Sequence, residues 1–307
     1  MLRGLVKSLL PTQALSTVHR RNTERQLARS DAALRSLRAD PPLPVPAGWT
    51  ANGLRDFLMS MEADFLPPGT IEHFMSHFRR FVYTLDLVPE GEGRRLLELG
   101  APPYLMSSLL MKFRRPELTP ADYSEMRATH LVKVGGEEHT YRPDRFNVET
   151  DPFPYPDAAF DVAVFCETIE HLPDDPVHPL TELRRVLKPG GHLILTTPNV
   201  CRLENVAKPL LGENVGDQYC FNGRYGRHNR EFTTAEMRRL LEENGYEVER
   251  LYTADVHEDA APYFKYWDRL APLVAGRKGD LGQYMFVRAR VADKARPPAR
   301  PAWLYRD

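Results

Sequence analysis

Between residues 94 and 291, short and almost wholly apolar runs alternate with stretches whose apolar residues return every three or four positions. The runs predict strands and the stretches predict helices. "RRLLELG" precedes a helix predicted over 103–115, and "ELTPADYS" and residues 142–148 are the next two strands. "AFDVAVFCE" leads into a helix around 179–187, "GGHLILTTPN" leads to a helix over 233–244, and "YEVERLYTAD" and "GQYMFVRARV" close the series. Strands that are apolar on both faces and alternate with helices predict a mostly parallel sheet covered on both sides, an α/β fold. No strong helix separates the last two strands, which allows an antiparallel edge pair.

Upstream of these strands, Leu54, Leu58, Met61, Ile71, Phe74, Phe78 and Phe81 recur at helical spacing and predict two or three helices that cover one edge of the core over residues 50–90. The proline-dense "ADPPLPVPAG" reads as an extended linker. The expected organisation is a basic helical extension with that linker over 1–48, one domain over 49–292 with its core at 94–290, and a disordered tail over 293–307, "DKARPPARPAWLYRD".

With 307 residues and 42% apolar content the chain can bury a large core. A formal net charge of -1 makes no electrostatic case for a nucleic-acid partner. Three scattered cysteines suggest neither a disulfide framework nor a paired-cysteine zinc site, and the expected location is the cytoplasm. The first 40 residues carry eight Lys or Arg against three acids, so the N-terminus is also a candidate for contact with a membrane surface.

In open parallel sheets, ligands lie across the carboxyl ends of the strands. The residues there are Glu98 and Gly100 after the first strand, Asp122 after the second, Asn147 after the third, and Cys166 with Glu167 after the fourth. Asp122 follows Glu98 at close to the spacing expected of an acid that bonds ribose hydroxyls. With "FNVETDPFPYPDAAFDVAVFCETIEHL" and "LRRVLKPGGHLILTTPN", these positions resemble the class I S-adenosylmethionine-dependent methyltransferases over about residues 94–290. The resemblance implies a Rossmann-like, mostly parallel seven-stranded sheet with S-adenosylmethionine as cofactor. Gly100 would approach the methionine part, Asp122 the ribose, and Asn147 the adenine amino group, with Val148 and Cys166 lining the ring. Glu98, Ala101, Tyr123 and Glu167 complete the expected cofactor set. Asp161 and the run Lys188 to Gly191 belong to the same pattern.

One loop departs from the family. Where it usually carries two further glycines, "LELGAPPYL" places Pro102 and Tyr104. Proline fixes φ and removes an N–H donor, so this loop should offer fewer backbone bonds. A scaffold that keeps the fold but not turnover is the competing outcome. For transfer to a hydroxyl or amine, Glu170, His171 and His228 are the candidate catalytic residues, and the excursion over 200–232 is a candidate lid. "GRHNREFTTAEMRRLLEENGYEV" is similar to bacterial methyltransferases found with polysaccharide-assembly enzymes, which implies a small-molecule or saccharide acceptor. Glu167, Glu170, His171 and His228 are also arranged as in metal-dependent small-RNA 3′-terminal 2′-O-methyltransferases. The same Glu-x-x-Glu-His occurs in many metal-free members, and with no basic stripe nearby no metal is expected.

Overall fold

The computed structural model describes residues 40–123, 128–221, 223–257, 272–277 and 279–306. The chain divides into two units. Of the smaller, residues 1–39 and 258–279, the described part holds one turn of 3₁₀ helix at Ala275–Arg277. The expected N-terminal helix and its membrane contact lie outside the described residues. Everything below belongs to the larger unit, 40–257 with 280–307. Among the described residues no helix is long and apolar enough to cross a membrane.

In chain order the elements are α1 (Ala51–Met59), β1 (Glu62–Ala63), α2 (Thr70–Met75), α3 (Phe78–Leu87), β2 (Arg95–Leu99), α4 (Leu105–Phe113), β3 (Glu117–Asp122), β4 (His130–Val134), β5 (Glu137–Tyr141), β6 (Asp144–Arg145) and β7 (Phe160–Cys166). A 3₁₀ turn at Ile169–His171 follows, then α5 (Val177–Val186), β8 (Leu187–Pro198), α6 (Leu203–Ala207), α7 (Thr234–Glu243), β9 (Tyr246–Ala254) and β10 (Tyr284–Val291). Local chemistry sets the helix starts. Thr50 accepts from the Gly53 amide at 3.0 Å ahead of α1. Thr233 and Glu236 form a reciprocal capping box at α7, with bonds of 3.1 and 2.9 Å.

The main sheet has the order β6-β3-β2-β7-β8-β10-β9. Pairs among β6, β3, β2, β7 and β8 are parallel, and β10 runs antiparallel to both β8 and β9. The seven-stranded, mostly parallel sheet is therefore as expected, and the last two strands, β9 and β10, pair antiparallel with β9 at the edge. Successive residues alternate between two buried faces. Leu96, Val162, Val164, Ile194 and Phe286 join the core under α1 to α4. Leu97, Ala163, Phe165, Leu193, Leu195, Met285 and Val287 join the core under α5 and α7. Each large side chain removed from water there stabilises the fold by about 1.5–3 kcal/mol, and the double-sided burial explains the unbroken apolar runs.

Four expectations are corrected. The third parallel strand is only Asp144–Arg145, not residues 142–148. Between β3 and β6 stands an unpredicted hairpin, β4 and β5, turning at Gly135 and Gly136 with φ of 56° and 80°. It pairs with β1 in a separate three-stranded antiparallel sheet. Residues 40–48 are not a free linker, because Leu43 and Val45 pack on the core and the Tyr83 hydroxyl donates to the Pro41 carbonyl at 2.7 Å. The C-terminal segment is not a disordered tail. Trp303, Leu304 and Tyr305 pack against the second core, the Trp303 indole donates to Glu243 at 3.1 Å, and Asp175 takes both Arg300 and the Tyr305 hydroxyl.

Candidate active site

The loop after β2 carries the unusual sequence. Gly100 turns with φ of 69°, and the amides of Gly100 and Ala101 both donate to the Ala121 carbonyl, at 2.9 and 3.3 Å. Pro102 and Pro103 have no amide to give, so residues 100–103 turn no free backbone donor toward a ligand. Tyr104 then adopts φ of 70°, a left-handed conformation that costs a non-glycine residue roughly 1–2 kcal/mol. Its ring repays the cost. Tyr104 is fully buried, stacks on Tyr141 at 4.4 Å and meets His130 Nδ1 through its hydroxyl at 2.6 Å. The unpredicted hairpin thus anchors the loop, and α4 starts at Leu105, two residues later than expected.

Two cavities meet under this loop, sharing Gly100, Pro102, Glu167, Thr168 and His171. The first, about 760 Å³ including space open to solvent, lies at the ends of β3, β6 and β7 and is lined by Asp122, Tyr123, Phe146, Asn147, Val148, Leu172 and Tyr225. Apolar walls with an acid at the end of β3 suit a nucleoside. Tyr225 reaches in from the excursion after β8. Its hydroxyl donates to Glu149 at 2.8 Å and accepts from Asn147 Nδ2 at 2.9 Å, while Asn147 Oδ1 takes the Glu149 amide at 2.9 Å.

The second cavity, about 1080 Å³ including space open to solvent, lies under α2, α3 and the loop. Glu98 lines it with 3% exposure and accepts the Ser107 hydroxyl at 2.5 Å. Burial pushes its carboxyl up to about 8, with the Ser107 bond pulling the other way. Glu167, at φ of 50°, has both oxygens engaged. Thr196 donates to one at 2.8 Å, and Arg80 of α3 sits 2.9 Å from the other. Burial opposes the Arg80 charge, yet Glu167 with Tyr284, Cys166 and Glu170 outweighs it and holds the guanidinium above its usual range.

The same cavity is lined by Glu170, His171 and His228. Glu170 is fully buried; Thr197 donates to its Oε2 at 2.9 Å. Burial and the neighbouring Glu167 charge raise its carboxyl. His171 Nδ1 meets the Arg227 carbonyl at 3.0 Å, which places a proton on Nδ1. Burial and His228 lower this imidazole. His228 Nδ1 meets Glu231 at 2.9 Å, and although burial works against its charge, Glu231 and Glu170 raise it overall.

The structure brings Gly100, Asp122, Tyr123, Asn147, Val148 and Glu167 to the first cavity. Glu98, Ala101 and Cys166 line the second instead, so Cys166 does not join Val148 at the place expected for the adenine ring. Burial pushes the Cys166 thiol up to about 12, which leaves it a small apolar filler. Asp161 and Lys188 pair with each other at 2.6 Å where β7 and β8 begin, at the opposite end of the sheet. Arg80 and Thr197 were missed. Arg80 has a sequence signal, a charge on the apolar face of a helix, whereas Thr197 looks like any other residue of an apolar strand.

A methyltransferase-domain family model matches residues 71–251. A protein of Mycolicibacterium smegmatis, named as a probable S-adenosylmethionine-dependent methyltransferase, is 30% identical over 210 residues, 68% of this chain and 70% of that protein. A ubiquinone biosynthesis O-methyltransferase of Cereibacter sphaeroides is 32% identical over 35% of this chain and 42% of its own length. Among solved structures, an S-adenosylmethionine-dependent methyltransferase from Mesorhizobium loti aligns with a TM-score of 0.44 and 17% identity, over 70% of this chain and 97% of that one. With a family match over more than half its length, this chain belongs to the class I S-adenosylmethionine-dependent methyltransferases.

Proposed function

We propose that the enzyme transfers the methyl group of S-adenosylmethionine to a hydroxyl or amine of a small-molecule or saccharide acceptor, with cofactor and acceptor meeting where the two cavities join. The observation that carries this reading is the pair of cavities sharing Gly100, Thr168 and His171. In it, Asp122 bonds the ribose, and Asn147 and Val148, with Tyr123, hold the adenine end. Gly100, Ala101, Glu98 and Glu167 border the methionine end. A sulfonium is already a strong electrophile, so the protein's work is to align the acceptor, exclude water and accept a proton. The acceptor would lose that proton at the cluster of Glu170, His171 and His228. Tyr219, 92% exposed, and the fully exposed Phe221 stand on the same excursion as His228, and flat aromatic faces of this kind suit a sugar ring.

Calorimetric titration with S-adenosylmethionine and S-adenosylhomocysteine tests the cofactor half of the reading; micromolar binding is the expected result, and absence of binding refutes it. A panel of sugars, phenols, amines, thiols and carboxylates, scored by release of S-adenosylhomocysteine, then tests the acceptor class. Turnover confined to an acceptor without a hydroxyl or amine would overturn that half alone.

A further inference from the structure

The stretch 224–230 of the excursion after β8 runs from one cavity to the other. Tyr225 lines the first and His228 lines the second, three residues apart. Between them the stretch is tied to the chain that follows β7. The Asn229 and Arg230 amides donate to the Glu170 carbonyl at 2.7 and 3.1 Å, and Asn229 Nδ2 donates to the His171 carbonyl at 2.7 Å. His171 Nδ1 donates to the Arg227 carbonyl at 3.0 Å, and Arg224 pairs with Asp174.

At the first cavity these ties end in an aromatic corner. The Tyr225 ring meets Tyr123 with 5.6 Å between centroids and 63° between planes, and Tyr123 is 57% exposed. Tyr225 is fastened at its polar end only. Its hydroxyl is held by Asn147 and by the buried Glu149, whose other oxygen takes the Asp174 and Asp175 amides at 2.6 and 2.9 Å. The ring itself stays half-buried on the cavity wall. Two open ring surfaces beside the apolar Phe146, Val148 and Leu172 are a place to bury a flat ligand.

We propose that Tyr225 is a cofactor-binding residue: its ring closes with Tyr123 on the adenine of S-adenosylmethionine, and the filled corner holds residues 224–230, with His228, in position at the second cavity. The inference rests on the methyltransferase reading above. A purine has a flat face and an edge, and two rings set at an angle offer a wall to each. Stacking a base on an aromatic side chain is worth about 5- to 150-fold in affinity. By linkage, a base that binds better with Tyr225 in place favours that position by the same factor. The cofactor thus sets where His228 stands before an acceptor arrives.

The test uses the full chain alongside Tyr225→Phe and Tyr225→Ala. S-adenosylhomocysteine is titrated calorimetrically into each, and hydrogen exchange over 224–230 is followed without ligand and at saturation. Tyr225→Ala should lose at least about tenfold in affinity, whereas Tyr225→Phe, which keeps the ring, should retain most of it. Exchange at the Asn229 and Arg230 amides should slow on binding in the unaltered chain and in Tyr225→Phe, but not in saturated Tyr225→Ala. Full affinity in Tyr225→Ala overturns the proposal. So does an equal loss in both variants, which would assign the whole effect to the hydroxyl and its bond to Glu149. Should Tyr225→Ala fold poorly, the unaltered chain still decides, since exchange that the ligand fails to slow also overturns it. S-adenosylhomocysteine binding to none of the three proteins removes the transferase reading and this inference with it, while binding of unchanged strength in Tyr225→Ala removes this inference alone.

Discussion

Replacing Glu98 by glutamine gives a stability effect whose dependence on pH can be worked from the structure. The carboxyl ends β2 with 3% exposure, and burial shifts it from an ordinary 4.5 to about 8. In the unfolded chain it ionises near the ordinary value, so from there to about pH 8 the native state keeps a proton that the unfolded state has lost. The stabilising contribution is complete below the unfolded pKa and is lost as pH rises through the folded one. At about 1.4 kcal/mol per unit, roughly 5 kcal/mol is lost across the whole window and about 3 kcal/mol by pH 7. Glutamine cannot ionise and still offers an oxygen to the Ser107 hydroxyl. Urea unfolding of both proteins at constant ionic strength, at about pH 5, 6, 7 and 8, measures the difference and cancels every other titrating group. The glutamine variant should gain on the unaltered chain by about 1.4 kcal/mol per pH unit. A difference that stays flat with pH would mean the carboxyl is ionised in the folded state and would refute the argument.

Three further outcomes follow from the same geometry. Asp122→Ala should weaken S-adenosylhomocysteine binding by about 1–3 kcal/mol, the worth of a lost hydrogen bond to a charged group, and calorimetry showing unchanged affinity removes the ribose role. Arg80→Ala strands the Glu167 carboxylate, of which only 17% is exposed, and should cost about 2–3 kcal/mol in chemical denaturation, with much of the loss recovered in the Arg80→Met, Glu167→Gln double variant. Gly245→Ala puts a Cβ 2.5 Å from the Asp293 carbonyl at φ of 85°, and thermal unfolding should show a loss of at least about 2 kcal/mol; an unaltered midpoint would mean that the C-terminal segment shifts aside freely.

The sequence made the layers legible because hydrophobic period is a local property. Leu96 and Leu97, or Leu193 and Ile194, need only their neighbours to declare a strand buried on both faces. The strand ends followed, and with them Gly100, Asp122, Asn147 and Glu167. The hairpin over 130–141 was missed although its inward and outward positions alternate, since its charged outer face reads as solvated loop. The C-terminal segment was misjudged because Pro and Arg dominate its composition, while its stability comes from three residues, Trp303, Leu304 and Tyr305, meeting an apolar surface that composition does not reveal.

What the sequence alone determined is the order of the main-sheet strands and of the helices between them, and the family to which they belong. Tertiary structure decided the partners. Only closure of the sheet brings Arg80 of the helical cover to Glu167, seats Tyr104 against the hairpin so that a loop without its usual glycines holds shape, slots β10 between β8 and β9, and carries His228 from a distant excursion to Glu170. Apolar period is set by neighbours a few positions apart, whereas the charge, burial and hydrogen bonding of a side chain depend on groups that the chain brings near only when it is folded.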